Sequence, residues 1–273
     1  MQANNILSAG RFGAYIKKHL VDNYRFYGMA VVVITGLALL VLTFVGIVEA
    51  NFSRYSDLLP IYFIGLYVTG LIFTSMSFNE LGNKPRGIDY LLLPASHLEK
   101  FLTTLLITTI GFMLVYHFAF FLAAKVLDII ISIRSGRHIE NDLFESSRHN
   151  MWQLNYYFWV IAQSVFFLGA VYFHKYSFIK TTFWVILFCV FLYLLNGLFV
   201  QIFFHGKMID WRAHLPFVGV GLSVPPAGDP IMNRQEFITL PKGMSDVFVF
   251  IGEYLIAPML WTVAYFRLRD KEI

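Results

Sequence analysis

"MAVVVITGLALLVLTFVGIV", Met29 to Val48, runs 20 residues without a charge. As a helix rising 1.5 Å per residue it spans ~30 Å, the thickness of the hydrocarbon core of a bilayer. The run is continuous and lacks the alternation of a barrel strand. It therefore reads as a membrane-spanning helix.

The rest of the chain agrees. Its 273 residues are 58% hydrophobic and 18% aromatic, and only 14% are charged, against about 25% in soluble domains. Mean hydropathy is +0.63. Five more runs have spanning length: Pro60–Phe78, Phe101–Ala124 (apolar character continues past Lys125 to Ile133), Gln153–Phe173, Thr181–Phe204 and Val247–Phe266. The expected fold is an all-α integral membrane protein, with residues 29–273 as one six-helix domain. No cleavable signal pattern precedes the first span, so that helix is expected to be retained.

Lys and Arg set the expected orientation. With the N-terminus inside, 12 of the 21 basic residues fall on the inner side. Most of these lie in short segments beside helices, where the positive-inside rule is strongest. Both termini are expected in the cytoplasm. The long outer loop between spans five and six, about His205 to Asp246, contains "LPFVGVGLSVPPAGDPIMN". It is too apolar for a solvated linker and is expected to pack at the outer surface or among the helices.

Residues 1–28 precede the first span. Phe12, Ile16, Leu20 and Tyr24 recur every four residues there, Tyr15 and His19 widen the stripe, and Lys17 and Lys18 lie elsewhere. This pattern predicts an amphipathic helix lying in the membrane interface.

Chemistry is sparse. There is no Walker A pattern, no H-E-x-x-H, no Cys/His set with zinc spacing and no G-x-S-x-G turn. Neither a catalytic residue nor a metal ligand is assigned. The net charge of +4 follows from the loops of a membrane protein and does not call for nucleic acid. Cys189 is the sole cysteine and reads as a small packing residue. Three polar residues fall at membrane depth: Glu253, His117 and Asn196. An intramembrane carboxylate is a functional candidate by default. His117 and Asn196 suit hydrogen bonds between helices. Lys125 and Asp128, three apart, read as a local pair near the outer end of span three.

"DYLLLPASHLEKFLTTLL", Asp89 to Leu106, crosses from the first inner loop into span three. Pro94 separates what precedes it from a new helix. Ser96 and Glu99 fit a capping box, S-x-x-E, before an apolar run. Tyr90, Leu91, Leu92 and Leu93 form an apolar patch beside the membrane, which asks for a partner or the lipid surface.

The segment "LLLPASHLEKFL" (Leu91–Leu102) resembles a cytoplasmic stretch of bacterial ABC-2 type transporter permeases, Bacteroidetes-like ones above all, which read L-P-A-S-x-L-E-K-F. The N-terminal "RFGAYIKKHLVDNYR" and C-terminal "AYFRLRDKEI" are similar to the ends of the same proteins. The resemblance implies the permease subunit of an exporter in the bacterial inner membrane. Such a subunit pairs with a second, identical or related copy and docks on a separate ATP-binding subunit that holds ATP and Mg. It implies that this chain is not itself an enzyme and binds no cofactor. It also implies that the first inner loop carries the coupling helix, placing Tyr90, Leu91, Leu92, Leu93, Pro94, Ser96, Leu98, Glu99 and Lys100 at the ATPase contact. The alternatives are a membrane scaffold or sensor without transport, and an intramembrane enzyme.

Overall fold

The structure, a computed structural model, describes residues 7–48, 54–79, 95–140, 146–173, 175–204, 219–224, 234–239 and 241–271. In chain order the elements are α1 (Ala9–Asp22), α2 (Tyr24–Val48), α3 (Leu59–Ser75, entered through a 3-10 turn at Tyr55–Leu58), α4 (His97–Ser135), α5 (Ser146–Tyr172), α6 (Ser177–Phe204), strands β1 (Gly219–Val224) and β2 (Arg234–Thr239), and α7. Helix α7 runs as Lys242–Phe250, a π turn at Ile251–Leu255, and Ile256–Lys271. Helices α2 to α7 are the six long and apolar enough to cross a membrane. The chain is a multi-pass membrane protein.

Every span shifts at one end or both, most instructively at α1–α2 and in α4. The expected amphipathic segment is a separate helix, α1, which ends at Asn23; α2 then begins five residues before the uncharged run. Helix α4 has 39 residues, ~58 Å at 1.5 Å per residue, so both of its ends overrun the apolar core. It stops at Gly136, which takes φ 67° and returns its N–H to the carbonyl of Ser132. That left-handed cap favours glycine. Within α4 a π turn occupies Ile107–Gly111. There the Thr108 and Thr109 hydroxyls bond back to carbonyls of the preceding turn, a habit that loosens the regular ladder.

The chain falls into two compact units, Met1–Phe178 with Met259–Ile273, and Ile179–Pro258, where the sequence pattern alone suggests one domain after residue 28. The first unit holds three layers of core. Ala38 and Leu42 of α2 meet Ala123, Ala124, Leu127 and Ile131 of α4. Below them Ile34, Tyr62, Leu66, Phe112, Tyr116 and Trp159 join α2, α3, α4 and α5. The third layer packs Phe78 and Phe101 on Phe167, Val171, Ala264 and Leu268. Small residues let the helices close up. A Cβ at Gly46 would overlap the Leu127 side chain, and one at Gly70 would stand 2.8 Å from Phe112 and 3.0 Å from Trp159.

In the second unit β1 and β2 pair antiparallel, with Gly219 opposite Thr239 and Val224 opposite Arg234. The expectation was an irregular loop in an all-α protein. Val220, Leu222, Phe237 and Ile238 supply residues that fit a pleated surface, and the pairing satisfies backbone groups that an apolar loop would leave stranded.

Candidate functional site

The first turn of α4 is built as its sequence predicts. Ser96 is extended, its hydroxyl accepts the Glu99 N–H at 3.2 Å, and Glu99 Oε2 accepts the Ser96 N–H at 2.9 Å. The same carboxylate does more. Its Oε1 accepts the N–H of Ser8, the N-cap of α1, at 2.9 Å. Arg11 Nε lies 3.0 and 2.9 Å from the two oxygens. One buried carboxylate thus closes the starts of two helices, where unpaired N–H groups and the helix dipoles both favour a negative charge.

The electrostatics follow. Glu99 precedes the apolar segment that opens at Phe101. Arg11 holds its carboxyl well below the usual range, to about 2, with the Ser96 and Ser8 amides helping and burial opposing. Lys100 is buried as well, and burial lowers its pKa.

The residues expected at the docking contact differ in exposure. Glu99 (0% exposed) and Lys100 (2%) are interior, because the carboxylate is turned onto α1; neither is on the surface. Ser96 and Leu98 are half-buried. Tyr90, Leu91, Leu92, Leu93 and Pro94 lie outside the described residues.

Helix α1 is accordingly tied down at both ends. Tyr15 is buried and stacks on His19, and His19 meets the Tyr27 hydroxyl of α2 at 2.9 Å. Phe12 and Ile16 are half-buried, while Lys17, Lys18, Leu20 and Tyr24 are exposed. Tyr24 belongs to α2, so the apolar stripe of α1 ends at Leu20.

Two clefts open beside α1. The first, about 320 Å³, lies between α1, α2 and α4 and is lined by Ile16, Leu20, Val31, Leu106 and Ile110, with Thr103 in its wall. The second, about 260 Å³, is polar, with His19, Asn23, Ser77, Asn79, Thr104 and Thr108. Tyr27, Phe73 and Ile107 line both.

His117 makes the expected bonds between helices. Its Nε2 is 2.9 Å from the Tyr62 hydroxyl of α3 and 2.8 Å from the Tyr156 hydroxyl of α5, and its Nδ1 is 2.7 Å from the Met113 carbonyl. A carbonyl only accepts, so in the neutral ring Nδ1 carries the proton and Nε2 is the acceptor. Asn196 is half-buried on α6. Glu253 is half-buried in the π turn of α7. The charge of Lys125 acts on Asp128, as the spacing suggested, and both residues also have other partners. Lys125 lies over the rings of Tyr55 and Phe121, and Asp128 accepts the Ile139 N–H at 2.8 Å and faces His138 at 3.3 Å.

Among the described residues no group of three or more His, Cys, Asp or Glu is placed to hold a metal ion. Sequence reasoning missed Arg11 as the partner of Glu99, Tyr62 and Tyr156 as partners of His117, and Tyr27 as the anchor of α1. Arg11 and Glu99 are 88 residues apart, and no periodicity signals a contact of that range. Three polar rings at membrane depth would have been a usable signal for the tyrosines.

No family model, no curated protein and no solved structure matches the chain.

Proposed function

We propose that the chain is the membrane-spanning permease subunit of an ABC-2 type transporter, an exporter of the bacterial inner membrane with both termini in the cytoplasm. A separate ATP-binding subunit, carrying ATP and Mg, drives it, and a second permease copy, identical or related, completes the path. The observation that supports this reading is the start of α4. The "LPASHLEKF" segment contains a capped helix start that continues, through one π turn, into a spanning helix. A displacement applied at such a foot travels along a stiff element.

The Glu99–Arg11 contact refines which residues take part. With Glu99 and Lys100 buried, docking is assigned to the apolar sequence Tyr90 to Pro94 together with Leu98 and the exposed His97. Glu99 has a different part: it joins the interfacial helix to the same foot, so force arriving at α4 also reaches α1.

The test is co-purification of the chain with an ATP-binding subunit. Leu98→Asp and Leu92→Asp each place a charge in an apolar contact, and both release the ATPase while the chain remains monodisperse and helical. An ATPase that stays bound at wild-type affinity refutes the coupling assignment. A purified complex with no ATP-binding partner refutes the transporter reading.

A further inference from the structure

The two clefts beside α1 differ in chemistry yet share a wall. The first is lined by aliphatic side chains, Ile16, Leu20, Val31, Leu106 and Ile110 among them. The second presents His19, Asn23, Ser77 and Asn79. Tyr27, Phe73 and Ile107 line both, so the two clefts adjoin. A site apolar at one end and polar at the other fits an amphiphile. Its 320 Å³ apolar half alone reaches the lower end of the ~300–1,000 Å³ range of small-molecule sites.

Each half also contains a buried hydroxyl without a protein partner. Thr103 is 0% exposed and its Oγ1 makes no hydrogen bond within the protein. Its neighbours Thr104, Thr108 and Thr109 all bond back to carbonyls of α4, so the absence is particular to the residue that lines the apolar cleft. Ser77 Oγ, in the polar cleft, is likewise buried without a partner. Buried hydroxyls in a low-dielectric site call for an acceptor.

Position selects the amphiphile. The clefts lie where α1 meets the start of α2, at one end of the spanning helices, and the apolar half is walled by the spanning segments themselves. Lys17 and Lys18 are exposed on α1, and basic residues at a membrane surface attract anionic headgroups.

We propose that the paired clefts hold one phospholipid of the surrounding bilayer. One acyl chain lies along Leu20, Val31 and Ile110, an ester carbonyl accepts from Thr103, and the phosphate accepts from Ser77 and Asn23. The inference rests on the membrane reading and is independent of any transport role.

The test uses the full chain in nanodiscs of phosphatidylcholine with a trace of phosphatidylglycerol that carries a diazirine on its acyl chain. Labelled peptides are mapped by mass spectrometry. Saturable labelling of residues 103–115 is expected, competed by unlabelled phosphatidylglycerol roughly tenfold better than by diacylglycerol, which lacks the phosphate. Filling the apolar cleft with Leu20→Trp and Ile110→Trp reduces labelling severalfold, whereas Phe118→Trp, at an exposed position of the same helix, does not. Asn23→Ala with Ser77→Ala removes the preference for the phosphate-bearing competitor, and this pair decides the matter if the filled variant fails to fold. Label that does not saturate, that is spread equally over Phe118, or that diacylglycerol competes as well as phosphatidylglycerol, overturns the proposal.

Discussion

Arg11 Nε and the Glu99 carboxylate meet at 2.9 Å across 88 residues of sequence, and through that contact one carboxylate closes the N-termini of both α1 and α4. Helix α1 is therefore fastened to the start of α4.

Removing either partner should free α1. In Glu99→Gln only one of the two backbone N–H groups keeps an acceptor, because the amide has a single oxygen, and Arg11 loses its countercharge. In Arg11→Ala the carboxylate keeps only the amides. Both variants are expected to raise amide hydrogen exchange over residues 9–22 severalfold, with exchange in α2 to α5 unchanged. Wild-type protection of α1 in Arg11→Ala would show that the apolar face alone holds the helix.

The same pair sets an acid limit. Glu99 has its pKa depressed from 4.5 to about 2 in the folded protein. A depressed carboxyl stabilises fully above its unfolded value, and that contribution is lost as pH falls through the folded value. Protection of α1 should stay flat from neutral pH down to about 4.5 and decline from there toward about 2. Glu99→Gln should abolish this dependence. A decline already complete at pH 5 would assign the titration to another group.

Close helix packing at Gly70 yields a steric prediction. A Cβ there meets Phe112 and Trp159, and overpacking costs about 1–3 kcal/mol. Gly70→Val should lower the thermal midpoint in detergent, read by tryptophan fluorescence because Trp159 is the residue displaced. Gly36→Val, with nothing within 4 Å of a Cβ, is the matched control and should move it little.

The His117 network should behave as one unit. Tyr62 and Tyr156 are 2.8 Å apart and both meet His117 Nε2. Hydrogen bonds between helices in membranes average ~0.6 kcal/mol and reach ~1.7. Tyr62→Phe and His117→Ala should each destabilise, and a double-mutant cycle should return a coupling within that range. Additive effects would mean that the bonds contribute nothing jointly.

Sequence alone was enough for the six spanning-length helices and for the capped start of α4. A 20-residue uncharged run has few physical options besides crossing a bilayer, and the S-x-x-E spacing closes a capping box through neighbours on one chain. Both are local effects, governed by residues within a few positions. The destination of Glu99 was not legible, because the same S-x-x-E reads equally well as a solvent-facing cap or as a docking surface. Lys125 is a similar case: its spacing to Asp128 indicates the local pair, but not the rings of Tyr55 and Phe121 that it also lies over.

What only the tertiary structure decided are the contacts between distant segments: Arg11 with Glu99, His19 with Tyr27, His117 with Tyr62 and Tyr156, and the paired clefts behind α1. The hydrophobic run determines that a helix enters the membrane, since transfer of apolar surface depends only on composition and length. Which face of that helix meets which neighbour depends on shape and on where buried polar groups find partners, and those are properties of the assembled bundle.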